Sequence, residues 1–360
     1  MELRKSMANN KKVTVAMSGG IDSAVAALLI KEQGYITSGA TMRLCENISE
    51  SGDDLSSADI RDAEAICNSL GINFTVYDLR DEFKSIVIKN FIDTYLCGNT
   101  PNPCVVCNKL LKFGKLIDLE CNRGTDYVAT GHYANLEKDA NGRYLIKKAL
   151  DLRKDQTYML WSLSQLQLSH ALFPLGNLTK AEIREIGAKN GFINAHKSDS
   201  QDICFIPDGD YASFIEKNIG YKYPEGNYID ENGMILGKHK GMIHYTVGQR
   251  KGLGISMNKH IFVICKNAEN NTVTLADEDK LFSNKVTLKG INLIPFDKLD
   301  GKMRVEAKIR YSQTQSPAYA EQTAEDQITL TFDTPQRAPA PGQSAVLYDG
   351  EYLVGGGIIC

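Results

Sequence analysis

The chain lacks most of what would mark an exported, membrane or fibrous protein. No run approaches the roughly 18 consecutive apolar residues that a membrane span needs, and Met1 to Met17 contains no apolar core of the signal-peptide kind. With one Trp and ten Pro in 360 residues, it is also far from collagen-like or proline-rich composition. Positive charge is not in excess: 41 Lys and Arg stand against 44 Asp and Glu, giving −3. A nucleic-acid partner must therefore be held by a local basic face and not by bulk charge. These features predict a soluble, cytoplasmic protein with no membrane association. Two nucleotide motifs are missing as well: there is no GK[ST] of a Walker loop and no GxGxxG of a dinucleotide fold.

What is present is a chain long enough for two or three domains of about 100–200 residues each. Its first third alternates strand and helix signals. Lys12 to Met17 reads as a strand, Asp22 to Gln33 as a helix stopped by Gly34, and Ile36 to Met42 as a second strand. A helix follows behind a Ser57 cap, with Ile60, Ala63, Cys67 and Leu70 on one face, and then a strand from Phe74 to Leu79. Glu82 to Leu96 and Val105 to Cys121 read as further helices and Tyr127 to Thr130 as a strand. The alternation predicts an α/β, doubly wound parallel sheet with ligands at the carboxyl ends of its strands. From about residue 215 the helical pattern gives way to short extended segments, Gly226 to Gly237 and His260 to Ala276. The tail repeats strand-like runs around a turn at Pro341 and Gly342 and predicts a small all-β module. The expected division is residues 1–215, 216–280 and 281–360, the last a barrel-like domain.

Ser18-Gly19-Gly20-Ile21-Asp22-Ser23 lies where a strand ends and a helix begins. Paired glycines there let backbone N–H groups approach an anion, and the helix N-terminus adds positive potential. A phosphate cradle is expected, with the Ser18 and Ser23 hydroxyls as further donors and Asp22 as a cap and a magnesium or phosphate contact. The nine cysteines, an odd number in a chain with no export signal, point to catalysis or metal binding before disulfides. Cys107 is expected in the first turn of a helix behind the loop Thr100 to Pro103, where helix N–H groups favour a thiolate. Cys204 follows the polar stretch Asp199 to Asp202.

The SGGIDS loop resembles that of the N-type ATP pyrophosphatases, which adenylate a substrate oxygen. TPNPCVVCN and DSQDICFI together resemble the tRNA-specific 2-thiouridylases. ATGHY at Ala129 to Tyr133, KDQTYML at Lys154 to Leu160, FPLGNLTK at Phe173 to Lys180, YTVGQRKGLGI at Tyr245 to Ile255, IRYSQ at Ile309 to Gln313 and the ending PGQSAVLYDGEYLVGGGII extend the likeness over nearly the whole chain. The resemblance implies ATP-dependent 2-thiolation of the wobble uridine of tRNAs such as those for Lys, Glu and Gln, with Mg2+ assisting. It implies a nucleotide site of Ala16, Met17, Ser18, Gly19, Gly20, Ile21, Asp22 and Ser23 with Met42 and Gly131, and Cys107 and Cys204 as the catalytic pair. Asn102, Pro103 and Cys104 would lie beside the base, and Lys154, Asp155, Gln156, Arg310 and Tyr311 would contact the tRNA. A persulfide donor, either a cysteine desulfurase or a relay protein, is the implied partner. Two departures stand out: Cys104 replaces an Asp of some members, and Leu55-Ser56-Ser57 stands where a cysteine is often found.

Alternatives remain at this level. Cys104 and Cys107 lack a second CxxC or HxxxH to complete a zinc tetrahedron, but together with Cys204 they supply the three thiolates of an iron–sulfur cluster with one open iron. The remaining cysteines fit buried, inert positions. The basic clusters at Lys147, Lys148, Arg153 and Lys154, and at Lys238, His239, Lys240, Arg250 and Lys251, suit either a solvated face or phosphate contacts. His132 suits a packed or ribose-adjacent role as well as a catalytic one. The same loop also serves amide-forming ligases, and a non-catalytic RNA-binding module is a more distant reading.

Overall fold

A computed structural model describes residues 10–45, 55–192, 203–255 and 260–360. The described residues form two compact units, one from Met1–Val87, Cys104–Gln201 and Glu351–Leu353, the other from Ile88–Pro103, Asp202–Gly350 and Val354–Cys360.

In the first unit, β1 (Lys12–Ala16), β2 (Ile36–Arg43), β3 (Asn73–Asp78), β4 (Tyr127–Ala129) and β7 (Ala171–Leu172) form a parallel sheet in the order β3-β2-β1-β4-β7. The chain winds outward from β1 to β3 and then returns to the other side of β1, so the sheet's switch point lies between β1 and β4. In such sheets that crevice, at the carboxyl ends, is where ligands bind. The order skips β5 (Asn135–Lys138) and β6 (Tyr144–Lys147), an antiparallel hairpin that the sequence pattern does not reveal.

Helix α1 (Ile21–Glu32) follows β1 with Ala24, Val25, Ala26 and Ala27 fully buried, so it is apolar nearly all round and needs cover on more than its sheet side. That cover is α6 (Lys180–Lys189), whose Gly187 leaves no room for a side chain beside Ile21. Helix α2 (Leu55–Leu70) begins before Ser57, so Ser57 lies within the helix and does not cap it.

The segment after Pro103 is helical through α4 (Pro103–Cys107), a π-helical stretch Asn108–Lys115 and α5 (Leu116–Asn122). Pro103 fits a first helical position, where its missing N–H costs no bond. The helix thus starts two residues earlier than the sequence pattern suggests, and Cys107 stands a full turn inside it. Within the π-helical stretch, the Gln167 side chain donates to the Lys109 carbonyl at 2.7 Å.

The second unit begins with α3 (Lys89–Leu96) and holds a four-stranded sheet and a barrel. β8 (Gly226–Ile229), β9 (Ile235–His239), β10 (Phe262–Asn267) and β11 (Thr272–Ala276) pack over Tyr228, Met242, Tyr245, Val263 and Val273. β12 (Phe282–Leu293), β13 (Lys302–Lys308), β14 (Ser316–Ala324), β15 (Gln327–Arg337), β16 (Ser344–Asp349) and β17 (Tyr352–Ile359) run in the order β12-β15-β14-β13-β16-β17. Pairing of β12 with β17 closes the ring and removes its edges. Inward residues such as Leu288, Ala318, Leu330 and Leu347 fill it.

Buried Glu120 on α5 is the polar staple of the first unit. Its carboxylate accepts from Thr14 of β1, Tyr77 of β3 and Thr125, with Arg123 at 3.8 Å. Removing it leaves the buried Thr14 hydroxyl and the half-buried Tyr77 and Thr125 hydroxyls without their acceptor, so Glu120→Leu is expected to lower unfolding free energy by about 2–4 kcal/mol in denaturant titration. A loss under about 0.5 kcal/mol, the level of an ordinary surface change, would contradict this role.

Candidate adenylation site and cysteine segments

The loop after β1 braces itself before any ligand arrives. Ser23 donates its hydroxyl to the Gly20 carbonyl at 2.9 Å and accepts from the Ser18 backbone N–H at 3.2 Å and the Ser18 hydroxyl at 3.3 Å. Gly19 is in the left-handed region at φ 72°, and a Cβ there would stand 2.5 Å from the Asp59 carbonyl oxygen. Gly131, just past β4, comes so close that a Cβ would be 3.0 Å from the Ser23 nitrogen and the Asp22 carbonyl carbon. The two ends of the switch-point crevice therefore meet backbone to backbone. Ala16 ends β1, Met17 donates its N–H to the Ala40 carbonyl, and Met42 lies near the carboxyl end of β2.

Asp22 does not cap its helix. The cap position is Gly20, with no side-chain bond. The Asp22 carboxylate instead receives Lys180 Nζ at 2.7 and 2.9 Å and the Tyr133 hydroxyl at 2.7 Å. Lys180 is only 9% exposed along its side chain, against 30% for Asp22, so the pair is substantially desolvated. Local sequence explains how Lys180 gets there. Thr179 and Glu182 make a reciprocal capping box that starts α6, and the Lys180 N–H donates to Asp151. That N–H is the main reason the Asp151 carboxyl sits below the usual carboxylate range. Tyr133 is fixed in turn by Gln156, whose Oε1 accepts the Tyr133 N–H at 3.0 Å.

Two residues of the expected tRNA set make internal bonds. Asp155 accepts from the Ala149 N–H and the Thr157 hydroxyl, and Gln156 holds Tyr133, so both brace the 151–157 loop. The cations of that loop are Lys154 and Arg153, both in the basic cluster read from sequence, the latter 92% exposed along its side chain. Leu150 and Leu152 beside them are also exposed. In the other unit, Arg310 donates to the Ala338 carbonyl, while Tyr311 is exposed with Lys308 Nζ 5.6 Å from its ring.

Cys107 is buried at 8% exposure, and its neighbour Asn108 donates to the Met159 carbonyl at 3.0 Å. That bond ties the cysteine helix to the KDQTYML segment. Cys104, a turn earlier, is at the surface. Its thiol is pushed up by local desolvation, against a smaller opposing effect of Lys112. Cys204 is exposed, directly before Phe205, which packs edge-on against Phe91 and tilted against Phe214, each at 5.3 Å. The polar stretch Asp199 to Asp202 lies outside the described residues. Among the described residues no three His, Cys, Asp or Glu side chains gather to hold a metal.

His132 keeps some exposure, yet its ring is set between Phe113 and Phe173, with Nδ1 2.8 Å from the Thr130 hydroxyl. Desolvation, with a smaller push from Lys112, drives its pKa down to about 3. It is therefore a neutral, packed imidazole at physiological pH.

The parallel sheet, the self-braced loop at its switch point and the helix-borne lysine define a nucleotide-binding α/β domain, followed by a mixed sheet and a closed barrel. Family models agree over most of the chain: a tRNA methyl transferase HUP domain matches residues 11–208, a tRNA methyl transferase PRC-barrel domain 212–277, and an aminomethyltransferase beta-barrel domain 283–359. The chain is 49% identical to the tRNA-specific 2-thiouridylase MnmA of Clostridioides difficile, over 97% of its own length and 98% of that protein's. It is 47% identical to the enzyme of the same name from Acetivibrio thermocellus, over 98% and 99%. The chain belongs to the tRNA-specific 2-thiouridylase family. A solved structure, the U34-tRNA thiolase NcsA from Methanococcus maripaludis, is 20% identical with a TM-score of 0.37, covering 60% of this chain and 72% of that one.

Two outcomes follow from the site. Lys180→Ala leaves the Asp22 carboxylate facing the nucleotide loop without its cation, and is expected to raise the KM for ATP about tenfold or more. An unchanged KM would remove Lys180 from the site. For His132, folding lowers the pKa from 6.5 to about 3, so the unfolded chain binds more protons between these values. Stability is full above about pH 6.5 and is lost as pH falls toward 3. His132→Gln should flatten that fall in denaturant midpoints measured from about pH 7 to about pH 4, and an unaltered slope would contradict it.

Proposed function

We propose that this enzyme activates the 2-oxygen of the wobble uridine of tRNA with ATP and replaces it with sulfur carried on Cys204. The observation that carries the reading is the junction of Gly131 with Asp22 and Ser23. It brings the backbone after β4 against the first turn of the helix behind the glycine loop, an arrangement suited to a nucleotide phosphate site in a chain of this family. Magnesium would enter as the counter-ion of ATP.

Uridine O2 attacks the α-phosphorus, the N3 proton is lost, and pyrophosphate leaves. The sulfane sulfur of a Cys204 persulfide then attacks C2, and AMP departs with the former O2. Cys107 attacks Sγ of Cys204, which releases 2-thiouridine and leaves a Cys107–Cys204 disulfide for a thiol reductant to reopen. Burial of Cys107 suits this late role, because a thiol kept from solvent is spared from outside disulfides until the intermediate forms. Exposure of Cys204 suits the early one, since a donor must reach it. The uridine must leave its stack to be reached. Residues 1–215 would carry the chemistry, 216–280 and 281–360 the tRNA, with Lys154, Arg153 and Tyr311 as contacts. Cytoplasmic tRNAs for Lys, Glu and Gln are the proposed substrates, and a cysteine desulfurase or relay protein the donor.

The test is sulfur labelling. Cys204→Ser should accept no labelled sulfur from a desulfurase and Cys107→Ser should still accept it, with neither making 2-thiouridine and both releasing pyrophosphate on adding tRNA. Label on Cys107 in the Cys204→Ser protein would reverse the roles. Iron in anaerobic protein, together with a requirement for Cys104, would replace the persulfide route by a cluster.

A further inference from the structure

The net charge of −3 conceals one strongly one-sided stretch. Residues 232–268 contain no Asp or Glu but six Lys and Arg, so the local basic face that a polyanion needs has a place in the second unit. The fold decides which of these groups face outward. His239 is turned inward at 3% exposure against Tyr228 and Tyr245, and Lys266 donates to the Tyr245 carbonyl. Arg250 and Lys251 are exposed, on a turn anchored by buried Val247 and Leu253.

That turn is held in one shape by its own bonds. The Gly248 N–H donates to the Val263 carbonyl at 2.8 Å, and the Val263 N–H donates to the Gln249 carbonyl at 3.0 Å. The Gln249 side chain accepts from the Thr246 N–H at 3.0 Å and donates to the Lys251 carbonyl at 2.9 Å, so it spans the turn. Gly248 adopts φ 91°, and a Cβ there would stand 3.0 Å from Ala338 Cβ, 3.6 Å from Arg337 Nη1 and 3.7 Å from Arg310 Nη2. The turn therefore abuts the barrel segment where Arg310 donates to the Ala338 carbonyl, beside exposed Tyr311. Arg337 at this junction is already paired with Glu278 at 3.3 Å.

Arg250 has a different partner. Its Nη2 lies 2.9 Å from His260 Nε2, and because a guanidinium can only donate, the imidazole nitrogen accepts. A neutral imidazole aims the guanidinium without cancelling its charge, as a carboxylate would. Among the described residues neither Arg250 nor Lys251 forms an ion pair. Adjacent cations left unneutralised on a rigid turn suit a partner with regularly spaced negative charges, which is the chemistry of an RNA backbone.

We propose that residues 246–252 form a phosphate-binding turn for tRNA, with Arg250 and Lys251 as its contacts, continuous with Arg310 and Tyr311. The inference rests on the reading above that the substrate is tRNA. It adds a face that supplies affinity and register, since phosphate contacts position a nucleic acid without reading its bases.

The test titrates full-length enzyme with tRNA at salt concentrations from about 50 to about 200 mM. Wild type is compared with Arg250→Gln, Lys251→Gln, the double variant and a control, Lys302→Gln, which changes an exposed barrel lysine near Glu321. The double variant is expected to bind tRNA about tenfold more weakly and to lower the slope of log affinity against log salt by about one to two. Each single variant should lower the slope by about one, and the control should bind within about twofold of wild type. Tm should stay within about 2 °C throughout, as for ordinary surface changes. Wild-type affinity and slope in the double variant would overturn the proposal. So would weaker binding with a lowered Tm and an unchanged salt slope, the mark of a merely structural turn. Normal tRNA binding with impaired sulfur transfer from a cysteine desulfurase would also overturn it, by giving this face to a protein partner. A wild-type enzyme that neither binds tRNA nor makes 2-thiouridine would instead overturn the functional reading, so the two failures are distinguishable.

Discussion

The contact that organises the candidate nucleotide site of the first unit is the ion pair between Asp22 and Lys180. It joins the helix that follows the nucleotide loop to a residue 158 positions later in the chain. Charge pairing at this depth is favourable only with good geometry and added hydrogen bonds, and the Tyr133 hydroxyl provides one. From this point two further connections run outward. Tyr133 leads through Gln156, and the Lys180 backbone leads through Asp151, into the 151–157 loop with its exposed cations. The loop proposed to contact the tRNA is thereby tied to the glycine loop proposed to hold the nucleotide.

Much of this architecture was legible in sequence. The strand and helix alternation of the first third appears within a residue or two of the expected bounds, because its apolar periods are strong and Gly34 and Gly71 stop the helices. The glycines of SGGIDS stand where a strand meets a helix, whereas a helix, Tyr211–Ile219, spans the expected change of texture near residue 215, and strands follow only from Gly226. The role of Asp22 was not legible. An acidic residue in a first helical turn reads as a cap until the partner lysine is known, and that lysine is brought by packing of α6 on α1. The only local trace was the Thr179–Glu182 capping box, which predicts a helix start and so an inward-facing residue there. Cys107 was placed two residues too near the helix start because the pattern was begun at Val105, although Pro103 is itself a favoured first residue. The π-helical stretch that follows has no simple sequence signature.

The second unit solves a different problem, the control of irregular backbone. The segment from Cys97 to Pro103 has few intrahelical bonds to fix it, so its shape comes from elsewhere in the unit. Gly98 lies against half-buried Lys266, whose Nζ donates to the Tyr245 carbonyl at 2.9 Å. Desolvation of that ammonium pushes its pKa down to about 8, and it stands 5.5 Å from the centre of the Tyr95 ring. The barrel turn at 341–343 completes the support, with the Thr100 N–H donating to the Pro341 carbonyl at 2.7 Å. Exposed Cys204 is similarly followed by a buried Phe205, so this surface thiol rests on a fixed aromatic anchor.

Everything in the proposed chemistry turns on ATP making the uridine 2-oxygen a leaving group. This is tested most directly by supplying tRNA whose target uridine carries oxygen-18 at O2 and following the AMP released during a single turnover. The label is expected in the phosphate of AMP, because the O2–phosphorus bond forms before C2–O2 breaks. Unlabelled AMP accompanying labelled water, or labelled inorganic phosphate with ADP, would contradict it.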